Sequence, residues 1–399
     1  MKYIVVLGDG MADEQLEELG GKTPLEFANI EYINKLAKKS EIGLCKTIPN
    51  GMTPGSDTAN LAVLGYDPNK YYTGRSSLEA LSVGAHMKDS DISFRCNIVT
   101  LSEEEEFENK IIIDHSSGEI STEEAAVLID EVKKHFDNES YKFYVGTSYR
   151  HLTIWDKGEM LDLTPPHDIL GKKVAKHLPG NKQLKDMMKK SYNILNNHPI
   201  NIERAKKGLN KANCIWFWGS GTKPQLDSFE EKFGKKGTMI SAVDLLKGIA
   251  VGTRMSIIEV EGANGSLNTN YEGKVEGALK SLLVDNQDFV YIHVEAPDEM
   301  GHQGNIVNKI KAIEYIDKRI VRLLLHELGS RDVSFKMLIM PDHPTPVSYR
   351  THTSNPVPYL IYNSEKELNN KWDYNEKEAK DSGKFIEQGH TLMNRFLTE

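Results

Sequence analysis

A short run that is apolar at every position is the strongest constraint on how this chain folds. Tyr3–Leu7 is β-branched and apolar on both faces. A strand with no polar face has to be covered on both sides, as in the parallel sheet of an α/β protein. Phe289–Val294 and Phe335–Met340 are further strand-like runs, and helical patterns lie between them. Pro24 opens one such pattern, expected to continue to about Lys39 with Phe27, Ile30, Ile33, Leu36 and Ala37 on one face. Residues 273–284 and 306–328 form two more. Open α/β sheets bind ligands at the carboxyl ends of their strands. Here those ends read Gly8-Asp9-Gly10, Glu295-Ala296-Pro297-Asp298 and Pro341-Asp342-His343.

At 399 residues the chain is too long for one simple core. The alternation of strands and helices is interrupted in the middle. Ile92–Leu101 reads as a strand, and the acidic stretch Ser102–Asn109 as a solvated hairpin loop. Thr122–Phe136 reads as a helix, with strand-like runs at Tyr141–Val145 and His151–Trp155. Residues 87–185 are therefore expected to form a small inserted α+β domain. Residues 1–86 and 186–399 would form the discontinuous main domain, with Lys182–Asn197 as a linking helix and Cys214–Trp218 resuming the main alternation.

Hydrophobic residues at 39% and charged residues at 27% describe a soluble globular protein. A net charge of −9 with no long Lys/Arg block argues against nucleic-acid or membrane-surface partners. Cys45, Cys96 and Cys214 show no CxxC or CxxH spacing, which points to a reducing cytoplasm. The apolar run at the N-terminus is too short for a secretory signal, and no run is long enough to cross a bilayer. No isolated hydrophobic stripe marks an oligomer interface.

The stretch Met52–Gly65, MTPGSDTANLAVLG, delivers Ser56 to the start of a short apolar helix. A serine there is ordinary N-cap chemistry. The same place puts a hydroxyl in the positive end of the helix dipole, where an attached phosphate is stabilised. Asp9, Asp298, His302, Asp342, His343 and His352 are the groups that raise the second reading. Each has an ordinary reading too, as a turn, a cap or a surface pair, and Gly301 is expected to break any helix aligning Asp298 with His302. Carboxylates mixed with imidazoles suit Mn²⁺ or Zn²⁺, and there are too many for one tetrahedral site. Two metals sharing Ser56 fit better.

The sequence resembles the cofactor-independent phosphoglycerate mutases of the archaeal type, in the alkaline-phosphatase superfamily. The resemblance runs through VLGDGMAD at Val6–Asp13, TPGSDTANLAVLGYDP at Thr53–Pro68 and YYTGRSSLEAL at Tyr71–Leu81. It continues through SYRHL at Ser148–Leu152, PPHDILGK at Pro165–Lys172, WFWGSG at Trp216–Gly221 and EAPDEMGHQG at Glu295–Gly304. PDHPTP at Pro341–Pro346 and HTSNPVP at His352–Pro358 complete it. The fold it implies is an alkaline-phosphatase-like, largely parallel sheet covered by helices on both faces, with the smaller inserted α+β domain as a lid. The activity it implies is interconversion of 3-phosphoglycerate and 2-phosphoglycerate through a phosphoserine at Ser56, independent of 2,3-bisphosphoglycerate.

By that resemblance one divalent metal is held by Asp298, His302 and His352. A second is held by Asp9, Asp342, His343 and the Ser56 oxygen. Mn²⁺ is the expected ion, with Zn²⁺, Co²⁺ and Mg²⁺ as other acceptable ones. The lid would supply Arg150, His151, His167 and Asp168, with Arg150 gripping an anion and Asp168 or His151 moving protons. Arg75 and Lys247 are candidate anion contacts of the main domain. Two other enzyme readings share the metal site: a phosphotransferase with another acceptor, such as homoserine, and a phosphomonoesterase or phosphodiesterase. The absence of a GxxxxGK[ST] loop counts against nucleotide use.

Overall fold

Tyr3, Val5 and Leu7 face one way along the first strand, Ile4 and Val6 the other, and all five are buried. That strand, Lys2–Gly8, lies inside an eight-stranded sheet of the computed structural model, which describes residues 1–398. It pairs in parallel with Phe289–Val294 on one side and Phe335–Met340 on the other. Gly237–Ile240 and Ser256–Ile257 extend the parallel arrangement. Val357–Asn363 runs antiparallel to both its neighbours, Phe335–Met340 and Glu41–Cys45, and Phe385–Ile386 closes that edge.

Helices cover both faces. Ile4, Val6, Val290, Ile292, Met337 and Ile339 share one core with helices Glu31–Ala37, Tyr271–Leu283 and Ile306–Ile316. On the opposite face Tyr3 meets Phe396 of helix Leu392–Thr398, and Phe289 meets Phe229 of helix Phe229–Phe233. Tyr291 there reaches Asn60 of helix Ser56–Val63. This is the expected α/β class. Among the described residues no helix is long and apolar enough to cross a membrane.

The chain divides into two compact units, Met1–Tyr72 with Gln225–Glu399, and Thr73–Pro224. The inserted unit is thus wider than the expected 87–185. Cys214–Trp218, expected to resume the alternation of the main domain, lies in a longer strand, Cys214–Thr222, that instead pairs antiparallel with Ile92–Leu101. The other edge of Ile92–Leu101 pairs with Arg150–Trp155, which leaves all ten of its residues buried. The N-terminal boundary moves because Gly74 lies against the backbone of Ser220 and Gly221, where a Cβ would come within 2.6 Å. Ser76 also hydrogen-bonds Ser93 at 2.8 Å. Helices Thr122–Phe136 and Lys182–Leu195 both pack into this unit's core, so the latter is not a linker.

The helix expected from Pro24 to Lys39 is two, Pro24–Phe27 and Glu31–Ala37. The second starts at Ile30, which offers no side-chain cap. Its free Ile33 N–H donates instead to Asp317 Oδ1 at 2.7 Å. Asp317 begins a π-helical turn, Asp317–Val321, inside the long helical stretch, and such a turn re-aims a side chain by one extra residue. Asp317→Ala is expected to cost about 1–2 kcal/mol, the worth of a helix N-cap. Urea unfolding measures it; an unchanged midpoint would remove the capping role.

Candidate active site

Three neighbouring parallel strands deliver Asp9, Asp298, Asp342 and His343 at their carboxyl ends. Asp9 follows Lys2–Gly8 directly, and Asp342 and His343 follow Pro341 after Phe335–Met340. Asp298 comes from helix Ala296–His302, which begins just beyond Phe289–Val294. That helix runs through Gly301, contrary to expectation, and sets Asp298 and His302 at i and i+4. A glycine is required there because a Cβ would lie 2.4 Å from the Thr345 carbonyl oxygen.

The ligand atoms converge. His343 Nε2 lies 3.5 Å from Asp9 Oδ1 and 3.4 Å from Asp342 Oδ2. Asp298 Oδ2 is 3.3 Å from His302 Nε2, and its Oδ1 is 3.5 Å from His352 Nε2. Asp9, Asp342 and His343 form one set with a ligand atom each within 4.8 Å of the others, and Asp298, His343 and His352 form another. Ser56 is the first residue of its helix and Gly55 the residue before it, with no side-chain cap. The Ser56 Oγ is 3.1 Å from His343 Nε2. Its hydroxyl therefore faces the ligand cluster and is not used as a cap.

The donor set fits divalent metal. Burial, and then the carboxylates of Asp342 and Asp298, push the Asp9 carboxyl well above its ordinary range. Asp9 Oδ1 is buried without a hydrogen-bond partner. Burial would raise Asp298 as well, yet contacts from His302 and His352 hold it well below. The same contact raises His302 to about 9. His302 Nε2 and His352 Nε2 lie 3.0 Å apart, a spacing that two imidazole lone pairs tolerate only around a shared cation or proton. Oxygen and nitrogen donors without thiolate suit a hard or borderline divalent ion.

Two buried partners escaped the sequence reading. His293 Nε2 is 2.8 Å from Asp9 Oδ2, and the Ser241 hydroxyl is 3.2 Å from its Nδ1. Burial lowers His293 to about 3, so it is neutral and donates from Nε2 to Asp9. Asn60 donates from Nδ2 to both the Ser56 carbonyl and Asp342 Oδ2, each at 2.8 Å. Tyr291 donates its hydroxyl to Asn60 Oδ1 at 2.6 Å, which fixes the amide orientation. The signal available in sequence was a lone polar residue at an inward position of an apolar run.

The inserted unit carries its own polar group. Glu79 accepts from Arg75 Nε at 3.1 Å and from Arg95 Nε at 2.9 Å. Burial would raise Glu79, but Arg95, Arg75 and then Arg150 hold its carboxyl below the usual value. Arg75 thus belongs to this unit and not to the main domain. Arg95 stacks over Trp218 at 4.2 Å, and Trp218 meets His167 at 5.2 Å. Arg150 and Asp168 are exposed at their positions. His151, the next residue on the same strand, points inward. Its Nδ1 accepts the Gly146 N–H at 3.1 Å, and burial drives it to about 3. A histidine neutral throughout the working pH range is a poor proton carrier. Lys247, in the main unit, pairs with the exposed Glu259 at 2.8 Å.

Comparison with known proteins decides the family. A family profile for 2,3-bisphosphoglycerate-independent phosphoglycerate mutase matches residues 37–201. A Methanosarcina barkeri protein of that name is 48% identical over 92% of this chain and 91% of its own length. The chain belongs to this family. It is accordingly an enzyme, an isomerase of the phosphoglycerate mutase type. A Geobacter sulfurreducens relative, a probable mutase of the same name, is 45% identical over the whole of both chains. Among solved structures, a Pyrococcus horikoshii protein matches 99% of the chain and 96% of its own at a TM-score of 0.80 and 30% identity. A cofactor-independent phosphoglycerate mutase from Thermoplasma acidophilum matches 100% and 99% at a TM-score of 0.65 and 26% identity.

Proposed function

We propose that the enzyme interconverts 3-phosphoglycerate and 2-phosphoglycerate in the cytoplasm by carrying the phosphoryl group on Ser56, without 2,3-bisphosphoglycerate. The observation that carries this reading is the Ser56 hydroxyl, at a helix start and 3.1 Å from His343 Nε2. Asp298, His302 and His352 would hold one divalent ion, and Asp9, Asp342, His343 and the Ser56 oxygen a second. Mn²⁺ is the ion we favour. Bound ions supply positive charge that lowers the pKa of a serine hydroxyl and offsets the charge of a transferring phosphoryl group.

The remaining roles belong to the chain. The Ser56 hydroxyl gives up its proton and its Oγ–P bond forms as the bond between phosphorus and the glycerate C3 oxygen breaks, and that oxygen takes up a proton. The second half runs in reverse: the C2 hydroxyl gives up its proton, its oxygen bonds to phosphorus as the Ser56 Oγ–P bond breaks, and Ser56 takes a proton back. The dipole of the Ser56–Val63 helix stabilises the phosphate while it rests there. His293 and Asn60 hold Asp9 and Asp342 in place from behind. Asp168 moves the proton, and the Arg75, Arg95 and Arg150 group, with His167, binds the anionic ends of the substrate.

The direct test supplies purified protein with Mn²⁺ and 3-phosphoglycerate alone. Equilibration with 2-phosphoglycerate is expected. Release of glycerate and inorganic phosphate instead would make the enzyme a phosphatase, and phosphorylation of homoserine alone would make it a kinase-like transferase. Arg150→Ala is expected to raise KM by roughly 10- to 100-fold, the worth of one charge-assisted contact. Mn²⁺ binding should be unaffected by this change. An unaltered KM would take Arg150 out of substrate binding.

A further inference from the structure

We propose that Thr345 is a positioning residue that couples the two ligand groups and sets the tautomer of His343. The inference rests on the two-metal reading above and goes beyond it. Thr345 is fully buried two residues past His343. Its Oγ1 lies 2.5 Å from Asp298 Oδ1 and 3.2 Å from His343 Nδ1. A hydroxyl has one proton to give, and an ionised carboxylate oxygen can only accept. Thr345 therefore donates to Asp298, and its oxygen is left to accept from His343 Nδ1. With the proton on Nδ1, His343 Nε2 keeps its lone pair. That lone pair faces Ser56 Oγ at 3.1 Å, Asp342 Oδ2 at 3.4 Å and Asp9 Oδ1 at 3.5 Å. The ring is thus presented as a ligand before any ion arrives, which is the usual task of a hydrogen bond behind a metal-binding imidazole.

The Thr345 backbone, and with it the hydroxyl, is held in place by buried polar contacts. Buried Lys309 donates to the Thr345 carbonyl at 2.7 Å and to Asp13 Oδ2 at 2.7 Å. The Thr345 N–H donates to the Ala12 carbonyl at 3.2 Å. Two glycines make the seat. A Cβ on Gly10 would come within 2.5 Å of Thr345 Oγ1, and one on Gly301 within 2.4 Å of its carbonyl. Gly10 adjoins Asp9 and Gly301 adjoins His302, so all three ligand-bearing segments meet at this one side chain.

Asp298 belongs to one ligand group and Asp9 and Asp342 to the other, with His343 in contact with both. Fixing Asp298 by an ion orients the Thr345 hydroxyl, and the hydroxyl in turn orients His343. Occupation of either group therefore favours occupation of the other.

The test is Mn²⁺ titration of the metal-free protein, followed by the electron paramagnetic resonance of free ion. Wild type is expected to take up two ions with positive coupling. Thr345→Val keeps the shape and removes the hydroxyl; both affinities should fall roughly 10- to 100-fold and the coupling should vanish. Thr345→Ser restores the hydroxyl and should return both to within a few-fold of wild type. Thr345→Ala carries the same expectation as valine should the valine protein fail to fold. Wild-type affinities in the valine or alanine variant would overturn the proposal, as would serine as impaired as valine, since methyl packing would then be the cause. Fewer than two ions on wild type would overturn the two-metal reading itself.

Discussion

Ser56→Ala is expected to lower the mutase kcat by roughly four orders of magnitude or more, a loss typical of a deleted nucleophile. The change removes the atom proposed to hold the phosphoryl group between the two halves of the reaction. It leaves the helix intact, because Ser56 Oγ caps nothing and alanine is a good helix former. The Asn60 contact to the residue 56 carbonyl is also retained, since it uses backbone. Folding, measured by urea unfolding, should therefore be near wild type while turnover is lost. A variant that kept more than a tenth of wild-type kcat would sink the nucleophile reading.

Asp9→Asn is expected to act in opposite directions on activity and on metal-free stability. The amide preserves the contact from His293 through its oxygen but turns a donor group toward Asp342 and His343. The ion of that group should be lost, and kcat should fall roughly 1,000-fold with it. Without metal, however, wild type keeps a carboxyl whose pKa is raised in the folded state by burial and by Asp342 and Asp298. A raised carboxyl pKa means that the unfolded chain ionises it more readily, so the metal-free fold loses stability as pH rises above the unfolded value. At neutral pH the metal-free Asp9→Asn protein should then unfold at a higher urea concentration than metal-free wild type. Saturating Mn²⁺ should reverse that order. A metal-free variant less stable than wild type would contradict the electrostatic picture of the site.

Strand ends were legible because residue type and position coincide there. Asp9, Asp342 and His343 follow apolar runs, and a parallel sheet brings such ends together whatever else the chain does. His302 was harder, since glycine is a poor helix former, and only the close approach of the Thr345 carbonyl explains why Gly301 sits inside that helix. The extent of the inserted unit was not legible at all. Cys214–Thr222 looks like any buried strand, and its choice of Ile92–Leu101 as partner is a tertiary fact. Arg150 and His151 show the limit most simply. They are adjacent in one motif, yet a strand turns successive side chains to opposite faces, so one is exposed and the other buried. Asn60, His293, Arg95 and Thr345 stayed hidden for a related reason. Single polar residues in apolar or Pro-rich surroundings have many ordinary explanations, and only their partners reveal which applies.

In the proposed reaction phosphate passes through Ser56. The measurement closest to it mixes the Mn²⁺-loaded enzyme with 3-phosphoglycerate, quenches in acid within a turnover, and determines the mass of the peptide carrying Ser56. One added phosphoryl group is expected on Ser56, formed and consumed at least as fast as 2-phosphoglycerate appears, and none in Ser56→Ala. Interconversion at the full rate with Ser56 unmodified throughout would contradict it.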